Sequence, residues 1–161
     1  SLTGHLVFST LHTNDAPSTI IRLVDLGVEN FLLTATVEAI IAQRLVRRIC
    51  SKCKEEYTPS EAELMELELR PDDVAGRTFF RGAGCSTCNS SGYKGRLAVF
   101  ETMCLDDTLR EMIMKQASTA HLRQESRRRG MRTLRESGLL SIYDGRTTID
   151  EVLRETISEE D

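Results

Sequence analysis

The residues with the clearest chemical potential are four cysteines arranged as two Cys-x-x-Cys pairs, Cys50 with Cys53 and Cys85 with Cys88. Each pair can offer two thiolates to one metal ion, and four thiolates complete a closed tetrahedral zinc site. Glycines lie on both sides of the second pair and permit the tight turns that aim two sulfurs at one point. Because a closed four-sulfur site leaves no coordination position for a substrate, the pattern predicts a structural metal rather than a catalytic one.

Four cysteines can also serve other chemistries. The chain contains five cysteines, and the odd one, Cys104, argues against a complete disulfide framework. A thioredoxin-like redox site uses one Cys-x-x-Cys pair rather than two. An iron–sulfur cluster held by the four thiolates stays open as an alternative to zinc. The stretch between Cys53 and Cys85 is longer than the common zinc-ribbon spacing, so we expect a folded element between the two pairs.

The composition indicates an ordinary globular protein. The 161 residues suffice for one domain or two small ones, with 40% hydrophobic and 29% charged residues. A formal net charge of −4 argues against nucleic acid as a partner. Thiols that must stay reduced to bind a metal favour a cytoplasmic location.

A second group of candidate residues accompanies the stretch from His5 to Leu11, whose short apolar run predicts a buried strand. Ligands of open α/β sheets bind at the carboxyl ends of strands near helix N-termini, so polar residues here could contact a phosphate. Those residues are Ser9, Thr10, His12, Thr13 and Asn14. They could equally be ordinary turn and cap residues. Because a buried strand needs neighbours on both sides, we expect the chain to be a piece of a larger protein.

Apolar spacing and cap residues predict the helices that precede the first cysteine pair. Asn14 or Asp15 can cap a helix that would bury Ile20, Ile21 and Val24 on one face. A longer helix is predicted from Asn30 to Ile49, because Leu33, Val37, Ile40, Ile41 and Leu45 recur at helical spacing. This helix would deliver Cys50 to the metal.

Short strands and further helices are predicted downstream. Ser60 and Glu63 form a capping box that opens a short helix between the cysteine pairs. Strands are predicted at residues 78–81 and 96–102, and they could pair beside the metal. Helices are predicted at residues 108–116, 118–130 and 131–144, and a capping box of Thr148 and Glu151 opens the last one.

Arginines form two further groups. Arg44, Arg47 and Arg48 end the predicted helix before Cys50, where they could offset the helix dipole or contact a nucleotide or a neighbouring subunit. The second group could be a surface for an acidic partner or a solvated helix face. It comprises Arg123, Arg127, Arg128, Arg129, Arg132 and Arg135. The 161 residues contain no G-x-x-x-x-G-K-[ST] phosphate-binding loop.

Four motifs in order resemble those of the secretion ATPase superfamily, which drives type II secretion and type IV pilus assembly. The stretch at residues 4–16 is similar to the family's histidine box, and residues 42–50 also match. The second cysteine pair with the Gly-Tyr-Lys-Gly-Arg stretch at residues 92–96 and Phe100-Glu101 is the third motif. Residues 145–154 are similar to the family's C-terminal segment. The resemblance covers nearly the whole chain.

The resemblance implies a fold class and a set of site residues. It implies an α/β fragment, mainly helical, with the end of a RecA-like ATPase domain at residues 1–49. A tetracysteine zinc module at residues 50–103 and a C-terminal helical domain at residues 104–161 would follow. His5 and His12 would be the catalytic histidines on the γ-phosphate side, with Thr10, Thr13 and Arg44 near the nucleotide. Cys50, Cys53, Cys85 and Cys88 would bind structural Zn²⁺.

The function implied is that of the C-terminal segment of a hexameric ATPase that uses ATP and Mg²⁺ to power type II protein secretion or type IV pilus assembly. Its expected partners are an inner-membrane platform protein and cytoplasmic components of the machine, with a cytoplasmic location and peripheral contact to the inner membrane. Since the phosphate-binding loop is missing, we expect the 161 residues alone to be inactive. The alternative is a non-enzymatic zinc-ribbon module that binds a protein partner.

Overall fold

A computed structural model describes residues 4–156 of the chain. These residues form two compact units, each assembled from two stretches of sequence. Residues 4–42 and 100–133 form the first unit, and residues 43–99 and 134–156 form the second. The three-part division at residues 49/50 and 103/104 stays a prediction of domain organisation.

Seven helices and four strands lie within the described residues. In chain order they are α1 (Ala16–Asp25), α2 (Asn30–Thr36), β1 (Ala39–Ile49), β2 (Lys54–Tyr57), α3 (Glu61–Glu66), β3 (Phe79–Gly82), β4 (Tyr93–Cys104), α4 (Asp107–Met114), α5 (Thr119–Arg128), α6 (Leu134–Tyr143) and α7 (Ile149–Glu155). Single-turn 3₁₀ helices cover Pro71–Val74 and Ser86–Cys88. Among these helices none has the length and apolar character needed to cross a lipid bilayer.

The strands form two separate two-stranded sheets. β1 pairs with β4, and β2 pairs with β3 in an antiparallel register that places Lys54 opposite Gly82 and Tyr57 opposite Phe79. The strands predicted at residues 78–81 and 96–102 are therefore both present, but they do not pair with each other. The first of them, β3, pairs with β2, and the second, β4, pairs with β1. The sequence pattern revealed neither partner.

The predicted helix from Asn30 to Ile49 is wrong beyond Thr36. α2 ends there, Val37 takes an extended conformation, and residues 39–49 form β1. The apolar residues of this stretch fit helical spacing, but their burial alternates along the strand, so that Ile41 and Leu45 are exposed. β-branched Ile40, Ile41, Val46 and Ile49 favour a strand once β4 offers its hydrogen-bonding edge.

The buried strand predicted from His5 to Leu11 is also absent. The segment has no regular structure, and Leu6, Val7 and Phe8 are 79%, 63% and 87% exposed. A strand forms only when a neighbour pairs with its backbone. No strand of the described residues pairs with this segment, so its apolar pattern alone does not make it a strand.

Side-chain caps confirm most of the predicted helix starts. Asp15 accepts a hydrogen bond from the Ser18 backbone at the start of α1, and Ser60 with Glu63 forms the predicted capping box of α3. Ser118 and Thr148 cap α5 and α7 in the same way. The predicted apolar face of α1 is only partly buried, because Ile20 is enclosed whereas Ile21 and Val24 are exposed.

Each unit has its own hydrophobic core. The core of the first unit is made by residues of α1, α2, α4, α5, the end of β4 and the stretches that follow β4 and α5. These residues are Ala16, Ile20, Leu33, Met103, Leu105, Leu109, Ile113, Leu122 and Met131. The core of the second unit joins the stretch between the cysteine pairs to the last two helices, through Leu64, Leu67, Val74, Phe79, Ile142, Ile149 and Val152. The folded element expected between the pairs is therefore present and is packed against α6 and α7.

Candidate metal centre

The structure brings Cys50, Cys53, Cys85 and Cys88 together, with all four Sγ atoms within 4.8 Å of one another. The Sγ atoms of Cys50 and Cys85 are 3.9 Å apart, those of Cys53 and Cys88 3.8 Å, and those of Cys85 and Cys88 3.7 Å. None of the four is in a disulfide. A tetrahedral ion with metal–sulfur bonds of about 2.3 Å separates its sulfurs by about 3.8 Å. The four cysteines therefore fit one metal ion.

Both cysteine pairs lie at turns that backbone amide hydrogen bonds stabilise. In each pair the amide of the second cysteine donates to the carbonyl of the first. At the second pair, the amides of Cys85 and Gly92 also donate to Sγ of Cys88, at 3.2 and 3.3 Å. Burial raises the pKa of the Cys88 thiol, but hydrogen bonds from these amides and from the Cys85 and Cys53 thiols outweigh burial and lower the pKa to about 6. Burial raises the pKa of the Cys53 thiol instead. The surroundings of Cys88 thus favour the thiolate that a metal needs.

The backbone joins the two turns by a very close approach of two glycines. The Cys50 amide donates to the Gly92 carbonyl at 2.9 Å, and the Ala83 amide donates to the Cys53 carbonyl at 2.9 Å. A Cβ atom built on Gly82 would lie 2.0 Å from the carbonyl oxygen of Gly92. No side chain fits there without moving the backbone that carries the cysteines.

Replacing Gly82 with alanine should therefore destabilise the second unit by about 3 kcal/mol, because backbone atoms cannot yield as a flexible side chain does. Thermal unfolding and a competition assay for metal affinity would measure the effect. Gly76→Ala is the matched control, since a Cβ there meets nothing within 4 Å and only the positive φ of 78° adds strain. Equal losses in the two variants would show that the contact between Gly82 and Gly92 has no special importance.

The predicted histidine-box residues lie outside the metal centre, in the first unit. His5, Thr10 and His12 are exposed, and Thr13 is half-buried with its Oγ1 2.8 Å from Oγ1 of Thr19. Arg44 belongs to the second unit and is half-buried on β1. The assignment of these residues to catalysis or nucleotide binding stays a prediction.

The N-terminus of α1, where the sequence pattern could place a phosphate, is occupied by two carboxylates. Asp15 accepts a hydrogen bond from the Ser18 amide at 2.7 Å, and Glu101 accepts one from the Ala16 amide at 2.7 Å. Burial raises the pKa of Asp15, but the hydrogen bonds from Ser18 and the neighbouring Arg123 outweigh it and hold the pKa below its ordinary value. An anion is therefore not expected to bind the first turn of this helix directly.

The buried carboxylate of Glu151, at the start of α7, has a hydrogen-bond partner that the sequence pattern did not predict. Glu151 was expected to complete a capping box with Thr148, but its carboxylate instead accepts hydrogen bonds from the backbone and side chain of Arg47, both at 2.8 Å. It also forms an ion pair with Arg154. The Arg47 guanidinium lies 4.1 Å above the Tyr93 ring, whose hydroxyl is 2.8 Å from Oγ1 of Thr148.

Two further contacts attach the residues directly before α7 to the end of β1, just before Cys50. Oγ1 of Thr147 donates to the Arg47 carbonyl at 2.8 Å, and the Ile49 amide donates to the Arg146 carbonyl at 2.9 Å. The end of β1, which leads into the cysteine cluster, is thus attached to the residues directly before α7. Sequence spacing could not find these contacts, because about 100 residues separate the partners.

Several arginines of the downstream series form ion pairs within the first unit. Arg123 pairs with Asp15 at 2.5 Å, and Arg128 and Arg129 both pair with Glu125. Both side chains reach the same carboxylate, one turn earlier on α5. Arg128 and Arg129 therefore match the interpretation of the series as a solvated helix face.

Comparisons with known proteins agree with the motifs. The family model described as type II/IV secretion system protein matches residues 1–154. The type IV pilus assembly ATPase PilB of Myxococcus xanthus is 47% identical over 157 residues, which are 97% of this chain and 28% of that protein. PilB of Thermus thermophilus is 45% identical over 157 residues, 98% of this chain and 18% of that protein.

A third relative comes from the secretion branch of the family. Type II secretion system protein E of Pseudomonas aeruginosa is 43% identical over 159 residues, 99% of this chain and 31% of that protein. The chain spans less than a third of the length of each of these three relatives. With a family match along nearly all of its residues, the chain belongs to the family of type II/IV secretion system proteins.

Proposed function

We propose that the chain is the C-terminal segment of a P-loop ATPase that powers type II protein secretion or type IV pilus assembly. The observation that carries the proposal is identity of 43–47% along nearly the whole chain to proteins named as pilus assembly ATPases and as a type II secretion protein. This segment supplies residues that act on ATP and Mg²⁺, while the phosphate-binding loop belongs to a preceding part of the protein. The end of a RecA-like domain lies at residues 1–49 in this proposal.

The histidine-box residues act on the phosphate end of ATP. His5 and His12 are the catalytic histidines, and Thr10, Thr13 and Arg44 lie near the nucleotide in the assembled enzyme. The exposure of His5, Thr10 and His12 supports this role, because side chains that contact a nucleotide must be accessible at the surface. The amides at the first turn of α1 already bind carboxylates. This supports phosphate contacts made by the histidine-box side chains rather than by those amides.

The four-cysteine cluster holds a structural Zn²⁺ ion. The sulfur separations of 3.7–3.9 Å support a single tetrahedral ion, because an iron–sulfur cluster distributes its cysteines over several irons. Four thiolates suit zinc among the common metals and leave no position for a substrate. The ion stabilises the fold and takes no part in hydrolysis.

The assembled enzyme is a homo-hexamer in the cytoplasm, in peripheral contact with the inner membrane. Its partners are an inner-membrane platform protein and cytoplasmic components of the secretion or pilus machine, with no role for nucleic acid. The net charge of −4 supports the last point. The relatives from both systems support a motor that serves one of the two.

A phosphate-release assay tests the proposal. The full-length protein should hydrolyse ATP, and the 161-residue chain alone should not, because it lacks the phosphate-binding loop. His12→Ala in the full-length protein should lower kcat about a hundredfold, the usual cost of removing one group that stabilises the transition state. His121→Ala is the matched control, since His121 is exposed on α5 outside the histidine box. A full-length protein without turnover would favour the non-enzymatic zinc-ribbon module instead.

A further inference from the structure

Glu101 is a carboxylate in a position that the strand pattern gives to an apolar side chain. It lies on β4 between Val99 and Met103, which are both buried, and it is itself only 2% exposed. A carboxylate is costly to bury unless hydrogen bonds compensate for the lost water. Its presence at a core position therefore calls for a specific contact.

The contact joins Glu101 to the first residue of α1. Oε1 of Glu101 accepts a hydrogen bond from the backbone amide of Ala16 at 2.7 Å, across 85 residues of sequence. Ala16 is fully buried, and its amide is one of those that a helix start leaves without an intrahelical partner.

The turn before Ala16 is held at two further points. Oγ1 of Thr13 lies 2.8 Å from Oγ1 of Thr19, and the Asp15 carboxylate accepts a hydrogen bond from the Ser18 amide. The residues from Thr13 to Ala16 are thus fixed to the helix that follows and, through Glu101, to β4. His12 comes directly before this turn and remains exposed, so the turn sets where its side chain can lie.

We propose that Glu101 is a positioning residue for the histidine box: by binding the Ala16 amide it fixes the turn that presents His12 and Thr13 to the phosphate end of ATP. The inference rests on the proposed function. Glu101 makes no contact with ATP in this role, and it acts through the backbone of α1. Small misplacements of groups in an active site slow the reaction strongly, so the loss of this hydrogen bond should act on turnover.

Three substitutions separate the parts of this role. Glu101→Gln keeps an acceptor at Oε1, Glu101→Asp is too short to reach Ala16, and Glu101→Ala removes the acceptor altogether. In the full-length ATPase, the Ala and Asp variants should lower kcat at least about tenfold with KM for ATP changed less than about threefold. The Gln variant should recover kcat to within about threefold of the wild type. Amide exchange at Ala16 should quicken about tenfold in the Ala variant of the 161-residue chain, and much less in the Gln variant.

Met103→Ala is the matched control for plain loss of packing. Met103 lies two residues further along β4 and is as buried as Glu101, but it belongs to the apolar core. It should lower the melting temperature while leaving kcat within about twofold of the wild type. Should Glu101→Ala fail to fold, the comparison of the Asp and Gln variants decides the question in its place.

The outcomes distinguish this inference from the proposed function. Suppose that the wild type is active and that Glu101→Ala, or Glu101→Asp in its place, lowers kcat no more than Met103→Ala does. This result would overturn the positioning role and leave the ATPase proposal standing. A Gln variant as slow as the Asp variant would also overturn it, because the acceptor would then not be what matters. An inert wild type would overturn the proposed function, and the role of Glu101 with it.

Discussion

Stripping the metal from the four-cysteine cluster should unfold the second unit, residues 43–99 and 134–156, while the helices of the first unit persist. Structural zinc contributes about 10–16 kcal/mol of apparent binding free energy in small zinc domains. A whole domain is stable by only about 5–15 kcal/mol. The free energy lost with the ion is therefore comparable to the whole stability of a domain.

The packing of the second unit determines how far the unfolding spreads. The cysteine pairs close both ends of the stretch that contains α3, β2 and β3, whose core residues contact those of α6 and α7. The sequence alone suggests that residues 50–103 unfold as one module and that the later helices form a separate domain. The structure assigns α6 and α7 to the unit that contains the four-cysteine cluster and α4 and α5 to the other unit, so the two pairs of helices should behave differently.

Hydrogen exchange with and without a strong chelator would measure this result. Loss of amide protection in α3, α6 and α7, with protection kept in α1, α4 and α5, is the expected pattern. Cys85→Ser should have the same effect as the chelator, whereas Cys104→Ser should have none, because Cys104 is exposed and outside the cluster. Metal analysis should find one zinc per chain. Unchanged protection of α7 after complete metal removal would contradict the prediction.

Local contacts explain which parts of the fold could be predicted. Asp15, Ser60, Ser118 and Thr148 each cap a helix by binding an amide three residues ahead, and such short-range bonds leave a direct trace in the sequence. The cysteine cluster could be predicted for a related reason. The paired spacing within each Cys-x-x-Cys turn already restricts where its two sulfurs can point.

Long-range contacts explain what could not be predicted. Whether residues 39–49 form a helix or a strand depends on β4, which begins more than 40 residues after β1 ends. The segment at residues 5–11 shows the converse, since its apolar run predicts a strand that has no partner among the described residues. Glu101 and Glu151 are buried, and each accepts a hydrogen bond from a backbone amide that lies 85 or 104 residues away in sequence. Neither the spacing nor the type of these two residues reveals such partners.

The substitution Glu151→Ala should cost the second unit about 2–4 kcal/mol. Glu151 is fully buried and accepts hydrogen bonds from both the backbone amide and the guanidinium of Arg47. Its removal therefore leaves the backbone amide of Arg47 without this acceptor. The loss stays below that of a wholly buried ion pair, because the Arg47 side chain is 42% exposed and can regain water. Denaturant unfolding would measure it. Asp150→Ala is the control, since the adjacent Asp150 is exposed and should change stability by less than about 0.5 kcal/mol.

The pH dependence separates the charge of Glu151 from its hydrogen bonds. Burial raises the pKa of this carboxyl, but the hydrogen bonds from Arg47, with the charges of Arg47 and Arg154, outweigh burial and hold the pKa below its ordinary value. A lowered pKa contributes stability that is complete above the unfolded-state value of about 4.3 and is lost as the pH falls through the folded-state value. Glu151→Gln keeps an acceptor but has no proton to gain. The difference in unfolding free energy between wild type and Glu151→Gln should therefore be largest near neutral pH and shrink below about pH 4. A difference that widens on acidification would show that the charge of Glu151 does not stabilise this unit.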